Sequence, residues 1–253
     1  METVLIAGGS GTVGKHLSKM LLEKGYSVAW LSRNKKEVQN IKIYLWDVEK
    51  KYIEDEAISS ADYIINLSGA RISDKRWSDK SKKEIIDSRI NSNKLLLERV
   101  QKLDKKLKVY ITASAVGYYG AVTTEKVYNE DDFPANDFLG TTCSKWEAST
   151  NLSKEMNIRT VKIRTGVVIN KGDGALSKML LPIKMFVGSP LGSGKQYMPW
   201  IHIEDLSNIF IKAIEDSNMV GPYNAVAPEH FTNAEFTKML ANIMSKPLWL
   251  PSV

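Results

Sequence analysis

The chain has 253 residues, 43% hydrophobic and 25% charged, a composition that suits one large folded domain with at most a small satellite. Its single cysteine, Cys143, can form no internal disulfide, so nothing points to an oxidising compartment. No charged n-region with a cleavage site opens the chain, and no apolar stretch reaches the ~18 residues of a membrane span, so a cytoplasmic protein with no membrane partner is expected.

Lysine and arginine outnumber aspartate and glutamate 35 to 29, a balance of +6 that suits nucleic acid or a phosphorylated small molecule. The densest basic run, Lys102, Lys105, Lys106 and Lys108, is interrupted by Asp104 and follows a helical pattern. No aromatic side chains interleave it, so it reads as a solvated face, and no nucleic-acid partner is expected.

The apolar run Val4–Ala7 breaks into Gly8-Gly9-Ser10-Gly11. From Thr12 to Lys24 the apolar residues Val13, Leu17, Met20 and Leu21 recur at helical spacing, and Gly25 stops the helix. A second strand follows at Val28–Leu31, completing the opening of a βαβ unit. Further strands are predicted at Ile41–Leu45, Tyr63–Leu67, Val109–Ala113 and Thr160–Arg164, with helices at Lys80–Val100 and Cys143–Met156. The fold expected is α/β, a Rossmann-type doubly wound parallel sheet. After Arg164 glycines and prolines cluster, which reads as a looped insertion; 204–216 return to helix, and another helix is predicted at Asn233–Met244. The expected organisation is a nucleotide-binding domain over 1–165, rejoined by 203–221, and a small discontinuous C-terminal cap over 166–202 and 222–253.

Gly8-x-x-Gly11-x-x-Gly14 lies between the first strand and the first helix, where a dinucleotide site needs it. Gly8 permits the tight turn, Gly11 lets the backbone approach a pyrophosphate, and Gly14 lets helix and strand pack closely. Ser10, Thr12 and Val13 complete the segment, and the helix start offers free N–H groups to the anion. The second strand ends Leu31-Ser32-Arg33, with no carboxylate before Glu37. Arg33 offers a fork to a 2′-phosphate and Ser32 a hydroxyl, which favours NADP over NAD; the alternative is an exposed arginine after a strand.

The motifs Gly8–Gly14, Leu31–Arg33, Asn66–Ala70, Lys75–Trp77, Ser88–Ile90, Ser114–Gly120, Lys145–Ala148, Arg164–Ile169, Gly192–Gln196 and Pro199–Leu206 follow one another along essentially the whole chain. In that order they resemble the extended short-chain dehydrogenase/reductase superfamily. More narrowly, they are similar to its atypical sugar-nucleotide-epimerase-like subgroup (NAD-dependent epimerase/dehydratase superfamily), sometimes labelled cell-division inhibitors. The resemblance implies cofactor contacts from Leu67, Ser68 and Gly69 after the fourth strand, from Glu84 and Arg89 on the long helix, and from Val167. It implies that Asp47 approaches the adenine, although that residue equally suits a turn cap. Family members usually continue with further helices, so the resemblance also implies a cap left incomplete at Leu250–Val253, and its long helix often pairs in a homodimer.

The superfamily's proton-handling pair is a tyrosine four residues before a lysine, with a serine nearby. Here the matching helix reads Thr141-Thr142-Cys143-Ser144-Lys145-Trp146-Glu147. Lys145 as the lysine puts Thr141 at the tyrosine position; Glu147 in that place puts Cys143 there. Neither register supplies a tyrosine. Ser114 matches the superfamily serine, and Tyr118 or Tyr119 in the following loop is a substitute acid, unless both pack beneath the loop. His202 suits either a loop-orienting role or acid–base work. Lys195 and Gln196 resemble a phosphate-gripping segment that, with Arg164, suits a nucleotide-linked substrate. His16, His202 and His230 have no metal-site spacing. The expectation is an NADP-dependent epimerase or oxidoreductase acting on a sugar-nucleotide or small carbonyl substrate; its rival is a non-catalytic NADP-binding protein.

Overall fold

The computed structural model describes residues 1–72, 76–172 and 174–248. Lys75 of the Lys75–Trp77 motif and the terminal Leu250–Val253 lie outside the described residues. In chain order the elements of the first half are β1 (Thr3–Ala7), α1 (Thr12–Glu23), β2 (Ser27–Ser32), β3 (Ile41–Asp47), β4 (Tyr52–Ile53), α2 (Asp55–Ser59), β5 (Tyr63–Asn66) and α3 (Asp79–Lys102). There follow β6 (Val109–Ala115), a short 3-10 turn (Val116–Tyr119), α4 (Phe138–Ala148), α5 (Leu152–Glu155), β7 (Thr160–Thr165) and β8 (Val167–Ile169). The chain closes with α6 (Ala175–Lys184), β9 (Trp200–His202), α7 (Ile203–Glu215), β10 (Gly221–Ala225) and α8 (Asn233–Ile243).

The main sheet has eight strands in the order β10-β7-β6-β5-β1-β2-β3-β4, all parallel except the β3–β4 pair. The first strand is apolar from Val4 to Ala7 because helices cover both faces of the sheet. Val4, Leu5, Ile6 and Ala7 are all 0% exposed. Val4 and Ile6 pack with Leu17 and Leu21 of α1 and Phe210 of α7, while Leu5 and Ala7 pack with Leu96, Leu97 and Val100 of α3.

From β1 the chain winds outward through β2 and β3, then returns to the other side of β1 as β5 and winds outward again through β6, β7 and β10. The reversal between β1 and β5 opens a crevice at their carboxyl ends, the switch point at which doubly wound sheets present ligands. Pairing of Ala7 with both Leu31 and Asn66 brings the Gly8 turn, Ser32-Arg33 and Leu67-Ser68 level along that edge. On the other half of the sheet, Ser114, Arg164 and Asn224 form one row across β6, β7 and β10.

Several expectations are corrected. Residues 222–225, assigned to the cap, belong to β10, an edge strand of the main sheet. Pro222 disguises the strand, but an edge position tolerates a residue that cannot donate to a ladder. The looped insertion contains β8 and β9, which pair in parallel with α6 between them in the chain, a small βαβ unit in its own right. The helix expected at Cys143–Met156 is two helices, broken around Ser149-Thr150-Asn151, where hydroxyls bond to nearby carbonyls. It begins earlier, at Phe138, where the Asp137 carboxylate accepts the Gly140 N–H at 2.8 Å. The basic run leaves the helix at Lys102; Lys105 then donates to the Ser59 carbonyl, Lys106 pairs with Asp104, and Lys108 with Glu2.

Candidate cofactor and substrate sites

The glycine turn is close-packed on three sides. Gly8 has φ +84°, and a Cβ there would lie 2.9 Å from the Leu67 carbonyl atoms. A Cβ on Gly14 would lie 2.6 Å from the Gly8 oxygen and the Gly9 Cα. Gly9, not singled out from the sequence, lies against the Trp30 indole, which would be 2.2 Å from a Cβ. Trp30 Nε1 donates to Ser18 Oγ at 2.7 Å, and Ser18 donates to the Gly14 carbonyl at 2.7 Å, which ties β2 to α1 beneath the turn. Gly11 differs: a Cβ would meet only the Gly8 oxygen, at 3.3 Å, so its outer side is open. No side chain caps α1 and no acid stands in its first turn, so the N–H groups near Thr12 and Val13 are available to an anion. Ser10 is exposed at the tip of the turn. Open space outside Gly11, tight backbone behind it and an uncapped helix fit the pyrophosphate of a dinucleotide.

At the end of β2, Ser32 Oγ accepts the Asn34 N–H at 3.3 Å, and Arg33 is exposed with no ion pair or hydrogen bond to a described residue. At the end of β3, Asp47 Oδ1 accepts the Glu49 and Lys50 N–H groups, each at 3.0 Å. The bond from Lys50, foremost, and that from Glu49 hold the carboxyl below the usual carboxylate range. Of the two roles considered for Asp47, the structure displays the turn cap.

Beyond β5, buried Asn66 organises the crevice floor, a role missed in the sequence. Its Nδ2 donates to Ser92 Oγ at 3.0 Å and to Asn93 Oδ1 at 2.6 Å, and its Oδ1 accepts the Ser68 N–H and hydroxyl. Asn93 in turn accepts from the Tyr110 hydroxyl at 2.7 Å, so a satisfied polar network fixes Leu67-Ser68-Gly69. Arg89 is 8% exposed and touches Gly69, where a Cβ would lie 3.1 Å from its Cζ. It donates to the Ile85 carbonyl at 2.9 Å and lies over the Trp146 ring, with no carboxylate partner among the described residues. Burial lowers its pKa, yet a guanidinium stays charged at neutral pH, so an uncompensated cation stands beside the crevice. Glu84 is exposed, five positions away on the same helix. Val167 opens β8, its N–H donating to the Pro199 carbonyl at 2.7 Å.

In α4, Lys145 is exposed, whereas Glu147 is 6% exposed and accepts the Ser114 hydroxyl at 2.7 Å. Cys143 and Glu147, four positions apart, both lie on the buried face of the helix, and no tyrosine stands in α4. Arg164 closes on Glu147 with a fork, Nε to Oε1 at 2.8 Å and Nη2 to Oε2 at 3.0 Å. Arg164 is 2% exposed and Ser114 is 3% exposed. Ser114, expected to orient a substrate carbonyl, thus spends its proton inside a buried ion-pair network. Arg164, expected to contribute to phosphate gripping, is likewise consumed. Burial, reinforced by Glu147, pushes the Cys143 thiol up to about 11, so it is protonated at neutral pH.

The two loop tyrosines have separate fates. Tyr119 accepts from Arg164 at 2.9 Å and its hydroxyl meets Asn224 Oδ1 at 2.8 Å; burial, foremost, raises its pKa. Tyr118 carries the Arg164 guanidinium 3.6 Å over its ring, and its hydroxyl bonds to no described residue. His202 caps α7, its Nδ1 accepting the Glu204 N–H at 3.3 Å, the loop-orienting alternative. Among the described residues no group of three potential metal ligands is found, and no helix is long and apolar enough to cross a membrane.

A cavity of about 410 Å³ lies between the 3-10 turn, the loop that follows it, and the cap. Val116, Leu139 and Tyr119 line one side, Met198, Val226 and Phe231 the other. Neither Tyr118 nor Ser114 lines it, and Lys195 is exposed outside it.

A switch-point crevice with a glycine turn at its mouth and a cavity alongside defines a doubly wound dinucleotide-type protein. The chain belongs to the NAD-dependent epimerase/dehydratase family, whose model matches residues 4–227. It is 38% identical to the epimerase family protein YfhF of Bacillus subtilis over 251 residues, covering 98% of this chain and 82% of that protein. It is 35% identical to human epimerase family protein SDR39U1 over 254 residues, again covering 98% and 82%. The crystal structure of that human protein (isoform 2) with NADPH superposes with a TM-score of 0.86, covering 99% of this chain and 82% of the other. UDP-glucuronic acid 4-epimerase from Bacillus cereus, in complex with NAD, shares the fold at 18% identity, with a TM-score of 0.84 and coverage of 99% and 87%.

Proposed function

We propose that this chain binds NADP(H) in the switch-point crevice and uses it to reduce, or in reverse oxidise, a small carbonyl or alcohol held in the adjoining cavity. The observation that carries the reading is the Gly8–Gly14 cradle: backbone-tight behind, open outside Gly11, and set on an uncapped helix. NADPH bound there supplies a hydride to a carbonyl carbon, and the carbonyl oxygen takes up a proton. Arg33 supports the phosphorylated cofactor, being an exposed guanidinium with no ion pair or hydrogen bond to a described residue, at the end of the second strand, where doubly wound folds meet the adenosine ribose. Arg89, with no carboxylate partner among the described residues, adds a second cation near the floor, and the human relative that superposes so well was crystallised with NADPH. Ser68 and Gly69, fixed through Asn66, present backbone to the ligand.

Arg33→Glu is expected to weaken NADPH by about ten- to a hundredfold, the worth of charge-assisted hydrogen bonds, and to leave NADH nearly unchanged. Calorimetric titration checks this, and equal affinities for NADPH before and after the substitution would remove Arg33 from the site.

The proton donor proposed for that carbonyl is Tyr118, which stands behind the cavity wall with its ring 5.4 Å from that of the lining Tyr119 and whose hydroxyl bonds to no described residue, so a substrate it serves sits at the edge of the cavity. A Tyr118→Phe variant is expected to keep NADPH affinity and to lose turnover by about a hundredfold or more, the usual contribution of a positioned proton donor. NADPH fluorescence decay against a panel of carbonyl compounds reads this. The second reading, a non-catalytic NADP-binding protein, is favoured by the lack of any tyrosine in α4, where the superfamily pair would stand, and unchanged turnover in Tyr118→Phe would move the weight to it.

A further inference from the structure

The cavity beside the crevice lacks what a nucleoside diphosphate requires. Diphosphates are held by arginine or lysine, or by open helix starts. Lys126 is the one lysine among its described lining residues, no arginine lines it, and Lys126 is neutralised by Asp132. Arg164 points its charge into Glu147, and Lys195 lies outside. Both nearby helix starts are closed. Asp137 caps α4 and takes the Ala121 N–H as well, while Thr232 and Glu235 form a reciprocal capping box on α8. Two carboxylates, Glu125 and Glu229, line the wall and would repel an anion.

Apart from Thr123, Thr124, Asn224 and His230, which is exposed beside Glu229, the rest of the lining is apolar, aromatic or glycine. Tyr128 stacks on Tyr119 at 4.9 Å between ring centroids. Val122 and Val127 are 77% and 71% exposed, so a ligand that covers them gains apolar contact. Asn224, with Oδ1 engaged by Tyr119 and no partner for Nδ2 among the described residues, offers a neutral donor to a neutral oxygen. At about 410 Å³ the space is at the small end for ligand sites.

From this we infer that the cavity takes an uncharged, largely apolar carbonyl compound or its alcohol, and not a nucleoside-diphosphate sugar. The inference rests on the reading above that this cavity is the substrate site. The experiment titrates NADP⁺-loaded protein, in which the crevice is blocked and no hydride is available to a ketone, with acetophenone, cyclohexanone and UDP, following binding by calorimetry and by shifts of cavity resonances. A ketone is expected to saturate, UDP is expected not to bind, and Val122→Asp, an exposed loop change, is expected to weaken the ketone by about fivefold or more. UDP binding in the cavity, or failure of both ketones, would overturn the inference. NADPH binding is read separately. If NADPH fails to bind while a ketone still saturates the cavity, the cofactor reading falls and the ligand class stands.

Discussion

Gly14→Ala is expected to abolish measurable NADPH binding and to destabilise the fold. The new methyl would sit 2.6 Å from the Gly8 oxygen and the Gly9 Cα, both backbone atoms of the turn. Relief requires the turn to shift, and Gly8 is packed so closely on Leu67 that a Cβ there would lie 2.9 Å from its carbonyl atoms, so the shift has little room. Overpacking of this kind costs ~1–3 kcal/mol, which for a chain of this size lowers Tm by about 2–4 °C per kcal/mol. Gly25→Ala is the control. Nothing lies within 4 Å of its Cβ, although its φ of +87° still costs ~1–2 kcal/mol. Both variants lose stability by thermal unfolding, but Gly25→Ala should bind NADPH as the parent does. Wild-type affinity in Gly14→Ala would mean that the turn does not hold the cofactor.

Glu147→Gln is expected to cost about 3–5 kcal/mol in urea unfolding, a larger loss than its similar shape suggests. The amide keeps an acceptor for Ser114, but Arg164, 2% exposed, would lose the carboxylate that both its fork nitrogens meet. An uncompensated buried charge is the expensive outcome. Removing both charges, as in Glu147→Leu with Arg164→Met, should recover much of the loss, because a hydrophobic pair avoids desolvation. The double substitution also frees Tyr119 from its Arg164 bond and so reports how far the ion pair, and not the tyrosine, anchors the loop. A Glu147→Gln variant within about 0.5 kcal/mol of the parent would show that the pair is not what holds β6, α4 and β7 in register.

The first βαβ unit was legible because its signals are local: an apolar run, a glycine turn and a helical stripe all fall within one stretch of chain. The expected strands at Val4–Ala7 and Tyr63–Leu67 meet at the switch point, and the spacing of Gly8, Gly11 and Gly14 marks the turn. What escaped is set by contacts between distant residues. Gly9 looks like one more loop glycine until Trp30 is placed against it. Asn66 reads as the polar end of a strand, and only α3, packed alongside, supplies Ser92 and Asn93. The Lys145 and Glu147 registers were equally open, since two positions along a helix lie on opposite faces and the local pattern does not say which face is inward. Glu147 is identified by Arg164, seventeen positions away in sequence and adjacent only in the folded sheet. The strand at Gly221–Ala225 hid behind a proline and polar residues that only an edge position accepts.

The most direct measurement is a pair of calorimetric titrations of the unmodified protein, one with NADPH and one with NADH. Saturable one-site binding of NADPH is expected, with NADH weaker by tenfold or more, about 1.4 kcal/mol or greater. Equal affinity for the two would contradict the role of Arg33, and no binding of either would contradict the assignment of the crevice itself.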